Sequence, residues 1–269
     1  MIVQTAPAGE PQLIITMAEH MTLAGRFARA FGNDGFEAVA PREEVLYVVG
    51  HHDAGWADAD AAAAIDAQTG LPHNLQYTPF ETIIETSRRS PEFNSRRHIY
   101  CGLLSSMHSW GLYNGRYGMS DHILLDSLAA ENRPEADRML NGEMARQERL
   151  KAELAADPET APWIEEAHLM QNYKQLQFFD TLALYFNTQH EADRGERTFE
   201  HVPSSAGEDV TITVRPAGDG VYHVSPYPFT DDPLRLSFSG RPVVADPDRE
   251  SIDLAAITTE GQAITLTAG

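Results

Sequence analysis

Cysteine and lysine are the conspicuous shortages in these 269 residues: one cysteine, Cys101, and two lysines, Lys151 and Lys174. A lone cysteine excludes an intrachain disulfide framework and every zinc site that needs two or more thiolates, so any metal must be held by histidines and carboxylates. No run reaches the roughly twenty apolar residues of a membrane span, and no basic-then-apolar leader opens the chain, so a soluble, cytoplasmic protein is expected. A P-loop, the glycine pattern of a dinucleotide fold, a nucleophile elbow and the paired histidines of a metalloprotease are all missing, as are internal repeats. Forty acidic against twenty basic residues leave a formal charge of −20. That field repels phosphate backbones and anionic head groups, so duplex nucleic acid and membranes are excluded as partners in favour of a small-molecule anionic substrate.

A hydrophobic content of 42% supports a real core. Two β-prone runs, 1–5 and 13–16, flank Pro7, Gly9 and Pro11 and read as a hairpin. Thr16 and Glu19 form a capping box that opens a helix running to about Gly32. A second helix starts near Pro41, with Glu43 and Glu44 in its first turn, and leads into HHDAGW. The small, acidic stretch from Asp58 to Pro79 reads as a long loop. Further helices are expected over roughly 95–112, 134–156 and 162–188. Beyond about His190 the period falls to two, and 210–214, 221–224, 234–238 and 264–266 are candidate strands of a small antiparallel sheet that packs on the helical part or pairs with the N-terminal hairpin, and whose uncovered edge would give a route to a homodimer.

Chemistry-bearing residues sit on the apolar faces of these helices. His20 shares a face with Leu23, Ala24 and Phe27; His52 follows Val45 and Val49; His108 is in register with Cys101, Leu104 and Leu112. Asp180, within QFFDTLALYF, is in register with Tyr173, Leu176, Gln177 and Leu184. An ionised carboxylate on such a face is costly unless a cation or donors compensate it. One buried histidine is ordinarily a hydrogen-bonded core residue. Two imidazoles and two carboxylates converging from separate helices are an N/O ligand set for Mn, Fe, Zn, Ni or Mg.

The order His20, then His52-Asp53, then Asp180, each on a helix, resembles the metal-binding pattern of the HD-domain superfamily of metal-dependent phosphohydrolases. The phrases AEHMTLAGRFARAFGN, PREEVLYVVGHHDAGW, LLSSMHSWGLY and LQFFDTLALYF are similar to the recurrent blocks of an uncharacterised family, domain of unknown function 3891. The resemblance implies a mainly α fold: an HD-domain-like helical bundle with an N-terminal β-hairpin and a small antiparallel β C-terminal region, α+β overall. Residues 1–195 are then a helical metal-site domain, and 196–269 a β-rich region packed on it. It also implies that His20, His52, Asp53 and Asp180 hold a divalent metal for a hydrolase acting on a small phosphorylated metabolite or nucleotide. Asp53 and His108 are the expected catalytic pair, with His108 as a second-metal ligand, general acid or substrate contact. Two-metal members carry two extra histidines, which leaves a di-iron oxygenase, or a non-catalytic metal- or ligand-binding module, as the alternatives; His73 and His98 are the candidates to join His108.

Overall fold

Thr16 sits where a strand turns directly into a helix, and its side chain does what the sequence requires. In the computed structural model, which describes residues 1–269, its hydroxyl accepts the Glu19 N–H at 3.2 Å while the Glu19 carboxylate accepts the Thr16 N–H at 2.9 Å. Before it lie β1 (Ile2–Val3) and β2 (Gln12–Ile15); after it runs α1 (Met17–Ala30). Then follow α2 (Arg42–Val49), α3 (Ala57–Ala62), the two-stranded β3 (Ile65–Asp66) and β4 (Leu71–Pro72), α4 (Phe80–Ser95) and α5 (Ile99–Tyr113). The single turns α6 (Gly115–Gly118) and α7 (Leu124–Ser127) lead to the long helices α8 (Arg133–Ala155) and α9 (Glu166–Thr188). The chain closes with β5 (Arg197–Ser205), β6 (Glu208–Gly218), β7 (Val221–Ser225), β8 (Leu234–Val243) and β9 (Glu260–Ala268).

These strands correct the expected fold class. The protein is 48% helix and 22% strand, an α+β fold built on a curled seven-stranded half-barrel, not a mainly α bundle with a small antiparallel appendage. The strand order is β1-β2-β8-β9-β7-β6-β5. The N-terminal hairpin belongs to the same sheet: Leu13 lies opposite Pro242 and Ile14 opposite Arg241. The sheet is also mixed, because β7 and β9 run parallel, Val221 beside Thr265. A pairing across more than two hundred residues leaves no mark in local periodicity, and a parallel pair needs only a long connection, which residues 226–259 supply.

Helices α1 and α9 pack together, α1 also against β8 and α9 against β5. Phe27, Phe31, Phe179, Phe186, Tyr222 and Phe229 fill this seam within one continuous core that joins helices and sheet. Ring centroids there lie 5.0 to 6.4 Å apart, mostly edge to face, the arrangement that aromatic quadrupoles favour.

Three local expectations shift. The 58–79 stretch contains α3 and the β3-β4 pair rather than bare loop. The last helix starts at Glu166 after a 3₁₀ turn over Ala161–Ile164, because Glu165 between them is extended (φ −55°, ψ 132°) and breaks the run. Finally, α2 stops at Val49, with Gly50 as its cap, so His52 and Asp53 lie in the turn that follows instead of ending the helix.

Candidate metal centre

The turn after α2 is pressed against α1, α4 and α5. Gly55 has no room for a side chain: a Cβ there would collide with the Thr86 carbonyl and come within 2.8 Å of the Ser90 backbone nitrogen. Two turns from Thr86 on the same helix, the Asn94 side-chain amide donates to the His51 carbonyl at 2.8 Å and fixes the start of the turn. The outcome is that His51 and His52 part company. His51 stacks on Tyr47 at 4.2 Å and donates from Nδ1 to the Tyr47 carbonyl, away from the centre. His52 points inward and is fully buried.

Four elements meet at His52. From α1, the His20 Nε2 lies 3.1 Å from Asp180 Oδ1, and Asp180 comes from the middle of α9. The His52 Nε2 is 3.7 Å from the same Asp180 oxygen and 3.6 Å from Asp53 Oδ2. From α5, the His108 Nε2 is 3.8 Å from Asp53 Oδ1. Thus the structure brings together all five residues singled out in the sequence, as two overlapping triads, His20-His52-Asp180 and His52-Asp53-His108. It does not bring His73 or His98 into either triad: His98 caps α5, accepting the Tyr100 N–H at Nδ1, and His73 sits beside β4.

The outward faces of the imidazoles settle what the inward faces can do. The His20 Nδ1–H donates to Asn187 Oδ1 at 3.0 Å, and the His52 Nδ1–H donates to the Val49 carbonyl at 2.9 Å. Each ring in its neutral form therefore presents an Nε2 lone pair to carboxylate oxygens, an acceptor facing acceptors. His52 Nε2 has no hydrogen-bond partner at all, although it is fully buried. A divalent ion resolves both conflicts. With bonds of about 2.0–2.2 Å, its neighbouring ligand atoms lie about 3.0 Å apart at right angles and about 3.4 Å apart in a tetrahedron. The separations of 3.1, 3.6 and 3.7 Å sit close to that range, and outward donation from Nδ1 to a carbonyl or amide oxygen is how metal-binding histidines are held. The residues fit a divalent cation.

Without an ion a proton must take its place. Burial drives the His52 pKa down, but Asp53 and Asp180 overcome it and push it up to about 9. Burial likewise drives Asp180 up, and the His20 and His52 contacts outweigh it, holding the carboxyl well below its usual range. His108 goes the other way: burial, then the neighbouring His52 charge, lower it to about 4, so it is neutral. Gln177 Nε2 donates to His108 Nδ1 at 2.7 Å, which leaves the proton of that neutral ring on Nε2, facing Asp53.

Two neighbours of the centre went unnoticed in the sequence. Asn187, seven residues beyond Asp180 on α9, carried a readable signal, being a polar residue on an inward face. Arg116 carried a subtler one in the flanking glycines of GRYG. Gly115, Arg116, Tyr117 and Gly118 all have positive φ, at 61°, 51°, 59° and 86°, forming a left-handed turn. For Arg116 and Tyr117 this costs about 1–2 kcal/mol each. The turn brings Arg116 Nη2 to 3.9 Å from Asp180 Oδ2. Arg116 and Gln177 also line a cleft of about 1230 Å³ that runs along α9 toward β5 and passes beside the centre without being lined by any of its five residues.

No helix is long and apolar enough to cross a membrane. Comparison with curated proteins and with solved structures returned no match. One family model, described as protein of unknown function (DUF3891), matches residues 1–244, and the chain belongs to that family.

Proposed function

We propose that the protein is a metal-dependent hydrolase of small phosphorylated metabolites or nucleotides, with one divalent ion held by His20, His52, Asp53 and Asp180. The observation that carries this reading is the buried, unpartnered Nε2 of His52 between two carboxylates, its tautomer set by Val49. The order of the four side chains resembles that of the HD-domain superfamily. The half-barrel architecture is not the bundle which that resemblance implies, so the reading rests on the side chains and not on the fold.

A divalent ion bound here lowers the pKa of a coordinated water and offsets charge developing on a phosphoryl group. The chain's own groups do the rest. Asp53, with a side chain 16% exposed, is the carboxylate with solvent access and accepts the proton of the attacking water. His108, neutral and protonated at Nε2, lies 3.8 Å from Asp53, too far to hydrogen-bond it, and has that N–H free to donate to substrate. One imidazole nitrogen serves one ion, so we read the two triads, which share His52 Nε2, as one centre in which His20, His52 and Asp180 are the tighter group and Asp53 joins them on metal binding. The oxygenase alternative calls for two further histidines, and His108 is the only one at the site.

The test is phosphate release from a panel of phosphomonoesters and nucleotides by Mn-loaded protein, with D180A in parallel. Turnover that is lost in D180A supports the hydrolase. Metal-replete protein that turns over nothing in the panel contradicts it and favours a ligand-binding module.

A further inference from the structure

A guanidinium left without partners beside a buried carboxylate is unusual enough to call for a ligand. Arg116 makes no side-chain hydrogen bond, and its one ionic contact is the 3.9 Å approach to Asp180 Oδ2. Its side chain is 24% exposed and opens onto the cleft, next to Gln177. The left-handed turn is clamped by its other member. The Tyr117 hydroxyl donates to Gln147 Oε1 at 3.1 Å, and its ring packs 4.8 Å from Trp110 and 5.0 Å from Tyr173. Ser120 N–H closes the turn on the Gly115 carbonyl at 3.0 Å. With Tyr117 held on the helical wall, the strained backbone turns Arg116 toward the centre. Strain maintained by this much surrounding packing is characteristic of functional sites.

We propose that Arg116 seats the phosphoryl group of the substrate, a step that rests on reading the His/Asp cluster as a metal centre. Charge arithmetic supports an anion there. A divalent ion balances Asp53 and Asp180, and Arg116 then leaves a net charge of +1. Its planar fork presents paired N–H donors that match two oxygens of a tetrahedral oxyanion, which a point charge cannot do. Farther along the cleft Lys174 is occupied by Asp209 at 2.5 Å, and Asp193, Glu196 and Glu200 oppose Arg197. The position suited to an anion is therefore the end at Arg116, with Phe178, Tyr185 and Phe199 available to the organic remainder of the molecule.

The experiment is calorimetric titration of Mn-loaded wild type, Arg116→Lys and Arg116→Gly with inorganic phosphate, with metal content measured on the same samples. Glycine relieves the left-handed backbone, so that variant does not depend on tolerating strain. Wild type is expected to bind phosphate, Arg116→Gly about tenfold to a hundredfold more weakly, and Arg116→Lys in between, all with full metal. Phosphate affinity unchanged within twofold in a metal-replete Arg116→Gly protein overturns the assignment and leaves the metal centre standing. So does a metal-replete wild type that ignores phosphate or binds acetate equally well. A wild type that takes up no ion removes the metal centre, and the role of Arg116 with it.

Discussion

Asn187 touches no ligand atom, yet its replacement by leucine should weaken metal binding. The side chain is fully buried, and its Oδ1 accepts the His20 Nδ1–H at 3.0 Å. Leucine has the same branched heavy-atom skeleton, is somewhat larger, and accepts nothing. The His20 ring then has two choices. It can keep the proton on Nδ1, leaving a buried donor unpaired at a cost of about 1–3 kcal/mol. Otherwise it moves the proton to Nε2, where it donates to Asp180 at 3.1 Å and can no longer coordinate. Either choice penalises the loaded state, and at about 1.4 kcal/mol per decade the range corresponds to about five- to 150-fold in affinity, overlapping the 10–100-fold usual for groups that orient metal ligands. The metal-free protein is spared. The second tautomer satisfies it, and the substitution removes the unpartnered Asn187 Nδ2 as well, so its urea midpoint should stay the same or rise. Competition against a chelating dye gives the affinity. Equal metal affinity in wild type and Asn187→Leu would refute the tautomer argument; a large fall in metal-free stability would show that Asn187 is there for packing.

Four further outcomes follow from the same structure. Metal affinity should rise about tenfold per pH unit from pH 6 to 8, because the proton on His52 is lost only near pH 9 and must leave before the nitrogen coordinates; a flat profile by dye competition contradicts this. The sign for the metal-free protein is opposite: a raised histidine pKa contributes stability present below about 6.5 and lost as pH rises through about 9, so urea midpoints should fall across that window. Gly55→Ala should cost about 1–3 kcal/mol in urea unfolding, since the Thr86 carbonyl and Ser90 nitrogen that a methyl group would meet are helix backbone; wild-type stability would show that this turn is free to move. Cys101 is fully buried, its thiol pushed up to about 12 by burial and then by Glu44, so iodoacetamide at pH 8 should label it in urea and spare it in the native state; rapid native labelling would contradict the packing around α5.

The centre was more legible in the sequence than the fold that holds it. His20, His108 and Asp180 announce themselves because helical period places each on an apolar face, where an uncompensated polar group is costly and so calls for a reason. His52 was right in direction for a wrong reason, since it faces inward from a turn locked by Gly55 and Asn94 and not from the end of a helix. Of the half-barrel, only the option that the C-terminal strands pair with the N-terminal hairpin was legible; its strand order and parallel pair were not. Its strands β1 and β2 total six residues, and β2 finds its partner in β8 more than two hundred residues away. Helix α4 was also missed: Pro91 interrupts its pattern, and residues Phe80 to Ser95 mix charged and small side chains with only a few apolar ones. Arg116 was signalled only faintly, by the flanking glycines of GRYG, because left-handed backbone in a non-glycine residue depends on the packing around Tyr117.

Metal content per chain, determined by mass spectrometry on protein purified without chelator or affinity metal and set beside His52→Ala, tests the central claim most directly. The account predicts one divalent ion per wild-type chain and its loss from the variant, with the fold retained by circular dichroism. A wild type that holds no ion even after exposure to Mn, Fe, Zn or Ni, or a His52→Ala variant that keeps its ion, would contradict it.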